Sequence, residues 1–322
     1  MTTILALDFG GSKHTVGIYQ PTPGVHPSAW ADHRLQTSPP SASAKVDLEI
    51  ILNLADEVLK GQPPDAVGVS FGGPVDADAK LVLLSHHIPG WENFPLGALL
   101  QARYNCPVMI DNDANAAALG EHHYGAGQGC NTLMYITVST GVGGGWIFDD
   151  RIWHGANSMA GEIGHIVVDP LGPLCLCGKR GCVERMASGP FLAQDARQRL
   201  TENPNLDSTL RSLSNGNLAN ITSVMISQAA AQGDPLAGDL LQRGARALGI
   251  GIGNAANLVN PQRFILGGGV TKSGDIFWQT MRKAARETAL PQIKFEILPA
   301  ALGDDAPLWG AVALVEPCLG LN

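Results

Sequence analysis

The chain has no apolar run approaching the roughly 20 residues that a bilayer crossing needs, so no membrane span is expected. Basic residues are few: 21 Lys and Arg stand against 29 Asp and Glu, for a net charge of −8. Nucleic acid normally meets a basic patch, and this balance argues against it as the main partner. A phosphorylated ligand stays possible, because backbone N–H groups can hold phosphate without lysines. No basic leader or cleavage site precedes the first apolar run at Ile4, so no secretion signal is expected. Cysteine is scarce and uneven, with three of six falling between Cys175 and Cys182. That clustering fits a metal site in a reducing cytoplasm better than a disulfide framework.

What the chain does have is length and glycine. Its 322 residues suffice for two domains with separate cores, and its 39 glycines imply many tight turns near ligand. The stretch from Gly161 to Gly189 organises the rest. It holds His165, Cys175, Cys177 and Cys182, flanked by Glu162 and Glu184. One imidazole and three thiolates are the donor set of a closed tetrahedral structural zinc site. Gly172, Pro173, Gly178 and Gly181 break regular structure, which places the cysteines on tight loops where side chains two apart can point at one metal. The metal would fold a polar loop and fix its carboxylates. Three buried thiols without metal is the bland alternative.

Elsewhere the pattern alternates short apolar runs with glycine turns. Ile4 to Leu7, the turn Asp8-Phe9-Gly10-Gly11-Ser12-Lys13 and Val16 to Tyr19 read as a hairpin, with Asp8 pointing into the turn. Ser139-Thr140-Gly141-Val142-Gly143-Gly144-Gly145 repeats the pattern between Leu133–Val138 and Trp146–Phe148. A dinucleotide fingerprint would need a helix after those glycines, whereas Trp146–Phe148 reads as a strand. Two such hairpins, each opening half of the chain, would suit a polyphosphate held by backbone N–H and hydroxyl donors. Helical spacing marks Val46–Leu59, Leu96–Tyr104, Ala116–His122, Ser188–Leu200, Ile221–Gln232, Pro235–Leu258, Ile276–Thr288 and Pro307–Val315, the last capped by Asp304 or Asp305. The loop Trp91-Glu92-Asn93 is expected to line a cleft. Gly244, Gly249, Gly251 and Gly253 inside one helix imply a neighbouring element or a ligand against bare backbone. Gly267-Gly268-Gly269 after a strand offers a flat surface for adenine or ribose. At the junction Asp111-Asn112-Asp113, Asp113 is either a helix cap or a general base.

These pieces, taken in order, resemble the ROK family of sugar kinases and repressors, within the actin-like, hexokinase-like ATPase superfamily. The matching motifs are the Asp8–Lys13 turn, Gly72-Gly73-Pro74-Val75-Asp76, Asn112-Asp113-Ala114-Asn115, the Ser139–Gly145 turn, Gly161-Glu162-Ile163-Gly164-His165, Cys175-Leu176-Cys177-Gly178 with Gly181-Cys182-Val183-Glu184, and Gly267–Gly269. They span nearly the whole chain, and the metal motif is the most specific. Ser12 stands where threonine is usual and Ser139 where glycine is; neither removes a catalytic group.

The resemblance implies an α/β fold of two actin-like (ribonuclease H-like) lobes around a central cleft, with a structural zinc loop. It places residues 1–111 with 304–322 in an N-terminal lobe and 112–303 in a larger C-terminal one. It implies an ATP-dependent hexose kinase, foremost a glucokinase acting on the 6-hydroxyl. N-acetylhexosamine, mannose, fructose and allose kinases are near alternatives, and a non-catalytic sugar-responsive regulator is the alternative from another class. Asp113 would be the base; Gly73, Asn112, Glu162, His165 and Glu184 would hold the sugar, His165 also binding Zn2+ with Cys175, Cys177 and Cys182. Asp8, Gly10, Gly11, Ser12, Lys13, Thr140 and Gly141 would hold the ATP phosphates with Mg2+, and Gly267, Gly268 and Gly269 would border the adenosine. Family repressors carry an added N-terminal DNA-binding segment, whereas here the first strand is expected at residue 4. Relatives are often dimers or tetramers, so a homo-oligomer is expected.

Overall fold

The computed structural model describes residues 2–11, 13–21, 29–39, 41–85 and 88–321. The chain is a mixed α/β protein that forms two compact units. Unit 1 comprises Met1–Tyr135, Gly145–Ala160 and Ala300–Asn322; unit 2 comprises Ile136–Gly144 and Gly161–Pro299.

Unit 1 is built on a five-stranded sheet. Its strands are β1 (Ile4–Phe9), β2 (Lys13–Tyr19), β3 (Asp32–Thr37), β4 (Ala66–Phe71) and β7 (Val108–Asn112), in the order β3-β2-β1-β4-β7. The first three are antiparallel neighbours, while β4 and β7 join in parallel. A two-stranded ribbon, β5 (Val75–Asp76) and β6 (Leu81–Val82), leaves the end of β4.

Alternation along β1 shows why both faces are covered. Leu5, Leu7 and Phe9 enter one core with Ile51, Leu54 and Val58 of α1 (Ala44–Leu59) and Leu96 and Leu100 of α2 (Leu96–Tyr104). Ile4 and Ala6 face a second core, with Leu308, Val312 and Val315 of α10 (Ala306–Val315). Each such aliphatic side chain contributes roughly 1.5–3 kcal/mol when fully buried. Close approach by α10 needs bare backbone: a Cβ on Gly310 would lie 1.8 Å from the carbonyl oxygen of Ala116, on α3 (Asp113–Tyr124). That packing of α3 on α10 carries unit 1 past residue 111, as far as Tyr135. Trp91 differs from its expected place. It is 1% exposed, edge-on to Phe9, Phe71 and Phe94, so it is core rather than cleft lining.

The second sheet has the order β10-β9-β8-β11-β12. Its strands are β8 (Thr132–Val138), β9 (Val142–Phe148), β10 (Arg151–Ile152), β11 (Arg263–Gly267) and β12 (Glu296–Pro299). Unit 2 takes β11, β12 and the parts of β8 and β9 nearest their shared turn, and holds α4 (Val183–Ala187), α5 (Gly189–Glu202), α6 (Thr209–Leu213), α7 (Ser223–Ala231), α8 (Pro235–Val259) and α9 (Asp275–Thr288). The glycines of α8 meet neighbouring helices and not a ligand. A Cβ on Gly249 would stand 2.3 Å from the carbonyl oxygen of Met281 on α9, and one on Gly244 would stand 2.9 Å from that of Met186 on α4. The roughly 1 kcal/mol that a helical glycine costs is thus offset by close helix packing.

Most expected helices fall within a few residues of their observed ends. The short α4 and α6 were not expected, because five-residue helices carry too little periodicity to read. Asp305 stands before α10 but makes no side-chain cap bond; it accepts instead from Trp30 Nε1 at 3.4 Å. Among the described residues, no helix is long and apolar enough to cross a membrane.

Candidate active site and metal centre

In unit 1 the parallel register aligns three polar residues at the strand ends: Asp8 lies opposite Ser70, and Ser70 opposite Asp111. Asp8 is 6% exposed and accepts from Ser70 Oγ at 2.7 Å. Burial pushes its carboxyl up to about 7; the Ser70 bond and the Lys13 ammonium oppose that rise, and the Asp113 charge adds to it. A buried carboxylate held by one neutral hydroxyl is well suited to a cation. The adjoining turn is tied down by Gly72 N, which donates to Phe9 O at 2.9 Å. Gly11 is exposed with open space where a side chain would stand, so its backbone is free to meet a ligand. Ser12, expected among the phosphate ligands, lies outside the described residues.

The junction of β7 and α3 divides its work among three residues. The cap role offered to Asp113 falls to Asn112, whose Oδ1 accepts from Ala114 N at 2.9 Å and Asn115 N at 3.3 Å. Asn112 Nδ2 donates to Gly73 O at 3.1 Å, which joins two of the expected sugar residues directly. Asp113 is the first residue of α3, half-buried, with Oδ1 accepting from Ala114 N at 2.8 Å. Burial raises its carboxyl to about 6, against the lowering effect of the Ala114 N–H and the Asn112 amide. A base with that value is mostly ionised at neutral pH yet still able to take a proton.

These raised values have a cost in stability. A carboxylate whose folded pKa lies above its unfolded value makes the folded state bind more protons, so stability falls as pH climbs between the two. For Asp8 that window runs from about 4 to about 7. Asp8→Asn should therefore raise the melting temperature of the ligand-free protein at pH 8 by several degrees, with no gain at pH 4, while impairing turnover. Melting curves at the two pH values check it; equal shifts at both would show that charge is not the cause.

In unit 2 the turn between β8 and β9 closes through Ser139 N, which donates to Gly141 O at 2.8 Å. Ser139 and Thr140 are exposed. Glu184, on the first turn of α4, accepts from Val142 N at 3.0 Å through Oε2, and a Cβ on Gly141 would lie 2.8 Å from that oxygen. The glutamate expected for sugar thus also braces the expected phosphate turn. The glycines at the end of β11 form less of a flat surface than expected. Gly267 is buried, and Gly268, at φ 89°, packs where a Cβ would be 2.5 Å from Val138 O; Gly269 is the exposed one.

The zinc-type cluster comes together in unit 2. The ligating atoms of His165, Cys175, Cys177 and Cys182 all lie within 4.8 Å of one another. Cys177 Sγ and Cys182 Sγ are 3.5 Å apart, near the ~3.8 Å that ~2.3 Å Zn–S bonds give in a tetrahedron. His165 Nδ1 is buried with no hydrogen-bond partner among the described residues, while its Nε2 lies 3.9 Å from Glu162 Oε2. A ring nitrogen with no protein partner beside three thiols completes a four-donor set, so these residues fit Zn2+. The loop is shaped for it: Cys175 N donates to Lys179 O at 2.8 Å and Gly178 N to Cys175 O at 3.0 Å, with Gly178 at φ 84°.

Ser70, Asp111 and His154 are joined to the candidate residues by hydrogen bonds or by the adjoining backbone, and no local pattern singles them out. Ser70 is the polar member of the buried β4, and its bond to Asp8 spans 62 residues. His154 Nε2 meets Asp111 Oδ2 at 2.6 Å across 43 residues, a pairing no local pattern signals.

Two five-stranded sheets with flanking helices, a buried strand-end carboxylate and an acid at a strand-to-helix junction make an α/β protein, and its relatives are sugar kinases and sugar-linked repressors. The chain belongs to the ROK family, whose model matches residues 4–317. It is 39% identical over 257 residues to a glucokinase of Halalkalibacterium halodurans, covering 78% of this chain and 77% of that one. It is 29% identical over 282 residues to the xylose repressor of Bacillus subtilis, covering 85% of this chain and 68% of the repressor. Among solved structures, it resembles a ROK family glucokinase from Streptomyces griseus in complex with glucose and AMPPNP. That match has a TM-score of 0.81 at 35% identity and covers 96% of this chain and 97% of the other.

Proposed function

We infer that this chain is an ATP-dependent hexose kinase, a phosphotransferase with an alcohol acceptor, and that glucose is its substrate at the 6-hydroxyl. The observation that carries the reading is Asp113: a half-buried acid, raised to about 6, beside an Asn112 whose Oδ1 caps the helix in its place. The kinship with glucokinases supports the choice of sugar. The donor is ATP, as the nucleotide analogue in the Streptomyces griseus complex suggests.

In this reading Asp113 takes the proton of the 6-hydroxyl as the bond to phosphorus forms. Asn112 and Gly73, with Glu162, His165 and Glu184, bind the remaining hydroxyls, carboxylates being able to accept from more than one hydroxyl at once. What supports giving both sets to one hexose is the family order of their motifs. The phosphates fall to Asp8, Gly10, Gly11, Ser12 and Lys13 and to Thr140 and Gly141, with the adenosine bordered by Gly267 to Gly269, of which Gly269 is the open one. Mg2+, when bound, neutralises phosphate charge, and Asp8 is the residue suited to hold it. Zn2+ would be structural, held by His165 Nδ1 and the three thiolates, so that Nε2 is left for substrate. The chain is read as two actin-like lobes, residues 1–111 with 304–322 as the N-terminal one and 112–303 as the larger C-terminal one, and the protein as a cytoplasmic homodimer or homotetramer.

Glucose-dependent release of ADP, set beside mannose, fructose, allose, N-acetylglucosamine and N-acetylmannosamine, tests this directly. Turnover is expected to be highest with glucose. Sugar binding without ADP release would instead support the regulator reading that the repressor kinship keeps open.

A further inference from the structure

His154 has no part in the chemistry described above, yet it is bonded to the junction that carries the base. It sits in the loop after β10, where its carbonyl accepts from Ala160 N at 3.0 Å. Its side chain is 32% exposed, while that of Asp111, bonded to it at 2.6 Å, is 3% exposed. The other oxygen of Asp111, Oδ1, accepts from Asn112 N at 2.8 Å and from Asn115 Nδ2 at 2.9 Å. One carboxylate therefore gathers the last residue of β7, the first turn of α3 and a loop 43 residues away. A buried carboxylate is stable only when paired and fully hydrogen-bonded, and His154 supplies the bond that comes from outside the junction.

We propose that His154 is a positioning residue for the general base: through Asp111 it locks the β7–α3 junction and so fixes where Asp113 meets the sugar hydroxyl. The inference rests on the kinase reading. Asp111 favours the imidazolium, burial opposes it, and Asp78 adds to it. Asp149, Asp150, Arg151 and His122 line the same cavity. A neutral ring with its proton on Nε2 still donates to Asp111, so the bond persists through neutral pH and its geometry carries the effect.

The test compares kcat, KM for glucose and KM for ATP in His154→Ala, His154→Gln and the unsubstituted protein. Glucose-dependent ADP release by the unsubstituted protein comes first; its absence overturns the kinase reading and this one with it. With that activity present, His154→Ala should lower kcat about tenfold or more, since misplacement of a reacting group by an ångström costs up to about a hundredfold. KM for ATP should stay within about twofold, because the phosphate residues are untouched. His154→Gln, which keeps an N–H donor, should recover most of kcat. A kcat for His154→Ala within twofold of the unsubstituted protein, or a loss that Gln does not restore, overturns the inference and leaves the kinase reading standing. Should His154→Ala fail to fold, His154→Asn, whose amide falls short of Asp111, takes its place under the same criteria.

Discussion

Asp113→Asn should lower kcat with glucose by about 10²- to 10⁴-fold, the range that a positioned general base contributes. KM for glucose should move by less than about tenfold, because the base acts mainly in the transition state. The structure makes this a clean substitution. Asn112, not Asp113, caps α3, so the helix start survives the exchange. An asparagine at 113 can still accept from Ala114 N, as Asp113 Oδ1 does at 2.8 Å. What is lost is a carboxylate that burial has raised to about 6. The same value predicts the pH profile. Activity should fall as pH drops through about 6, when Asp113 takes up its proton and can no longer accept one from the sugar. Steady-state kinetics from pH 5 to 8 check both points. Retained turnover in Asp113→Asn would reduce Asp113 to an acid that favours the helix N-terminus, a role worth less than about 1 kcal/mol.

Cys182→Ser should empty the metal site and loosen the sugar loop together. Cys182 is fully buried, and burial pushes its thiol up to about 12. It stands directly before α4, two residues from Glu184, and its neighbour Val183 donates from its backbone N–H to Ile166 O at 3.1 Å, next to His165. The four-residue cluster, with its histidine, and Glu184 are thus on one short connected path. We expect substoichiometric zinc by elemental analysis and a melting temperature lower by several degrees. KM for glucose should rise at least about tenfold, the scale on which shells around a metal act. Because Glu184 also accepts from Val142 N, KM for ATP should rise as well, by a smaller factor. Chelation of the unsubstituted protein should reproduce these changes. A metal-free protein with unchanged KM for glucose would break the link between metal and sugar loop.

Much of this was legible in order along the chain. Short apolar runs on either side of glycine turns located β1, β2, β8 and β9, because both are local properties. The ligand set His165, Cys175, Cys177 and Cys182 was readable from donor chemistry and loop-forming glycines, and the structure gathers the four. The family resemblance singled out Asp113. Local sequence left it between cap and base, because both readings want an acid at a strand-to-helix junction.

Other features were decided at a distance. Trp91 read as cleft lining, since one aromatic between polar residues gives no sign of what covers it; Phe9, Phe71 and Phe94 cover it. The glycines of α8 fitted a ligand or a helix equally well; the structure sets Met281 of α9 against Gly249. Assignment of the cap to Asn112 depended on side-chain direction, and the bond of His154 to Asp111 on a chain reversal 43 residues long. The sequence by itself determined which groups are present: one acid at the helix start, one imidazole with three thiols, and two glycine turns. Only the tertiary structure decided their state. Burial lifts Asp8 to about 7 and Asp113 to about 6 because desolvation penalises the charged form, and desolvation is a property of what surrounds a residue, not of the residue.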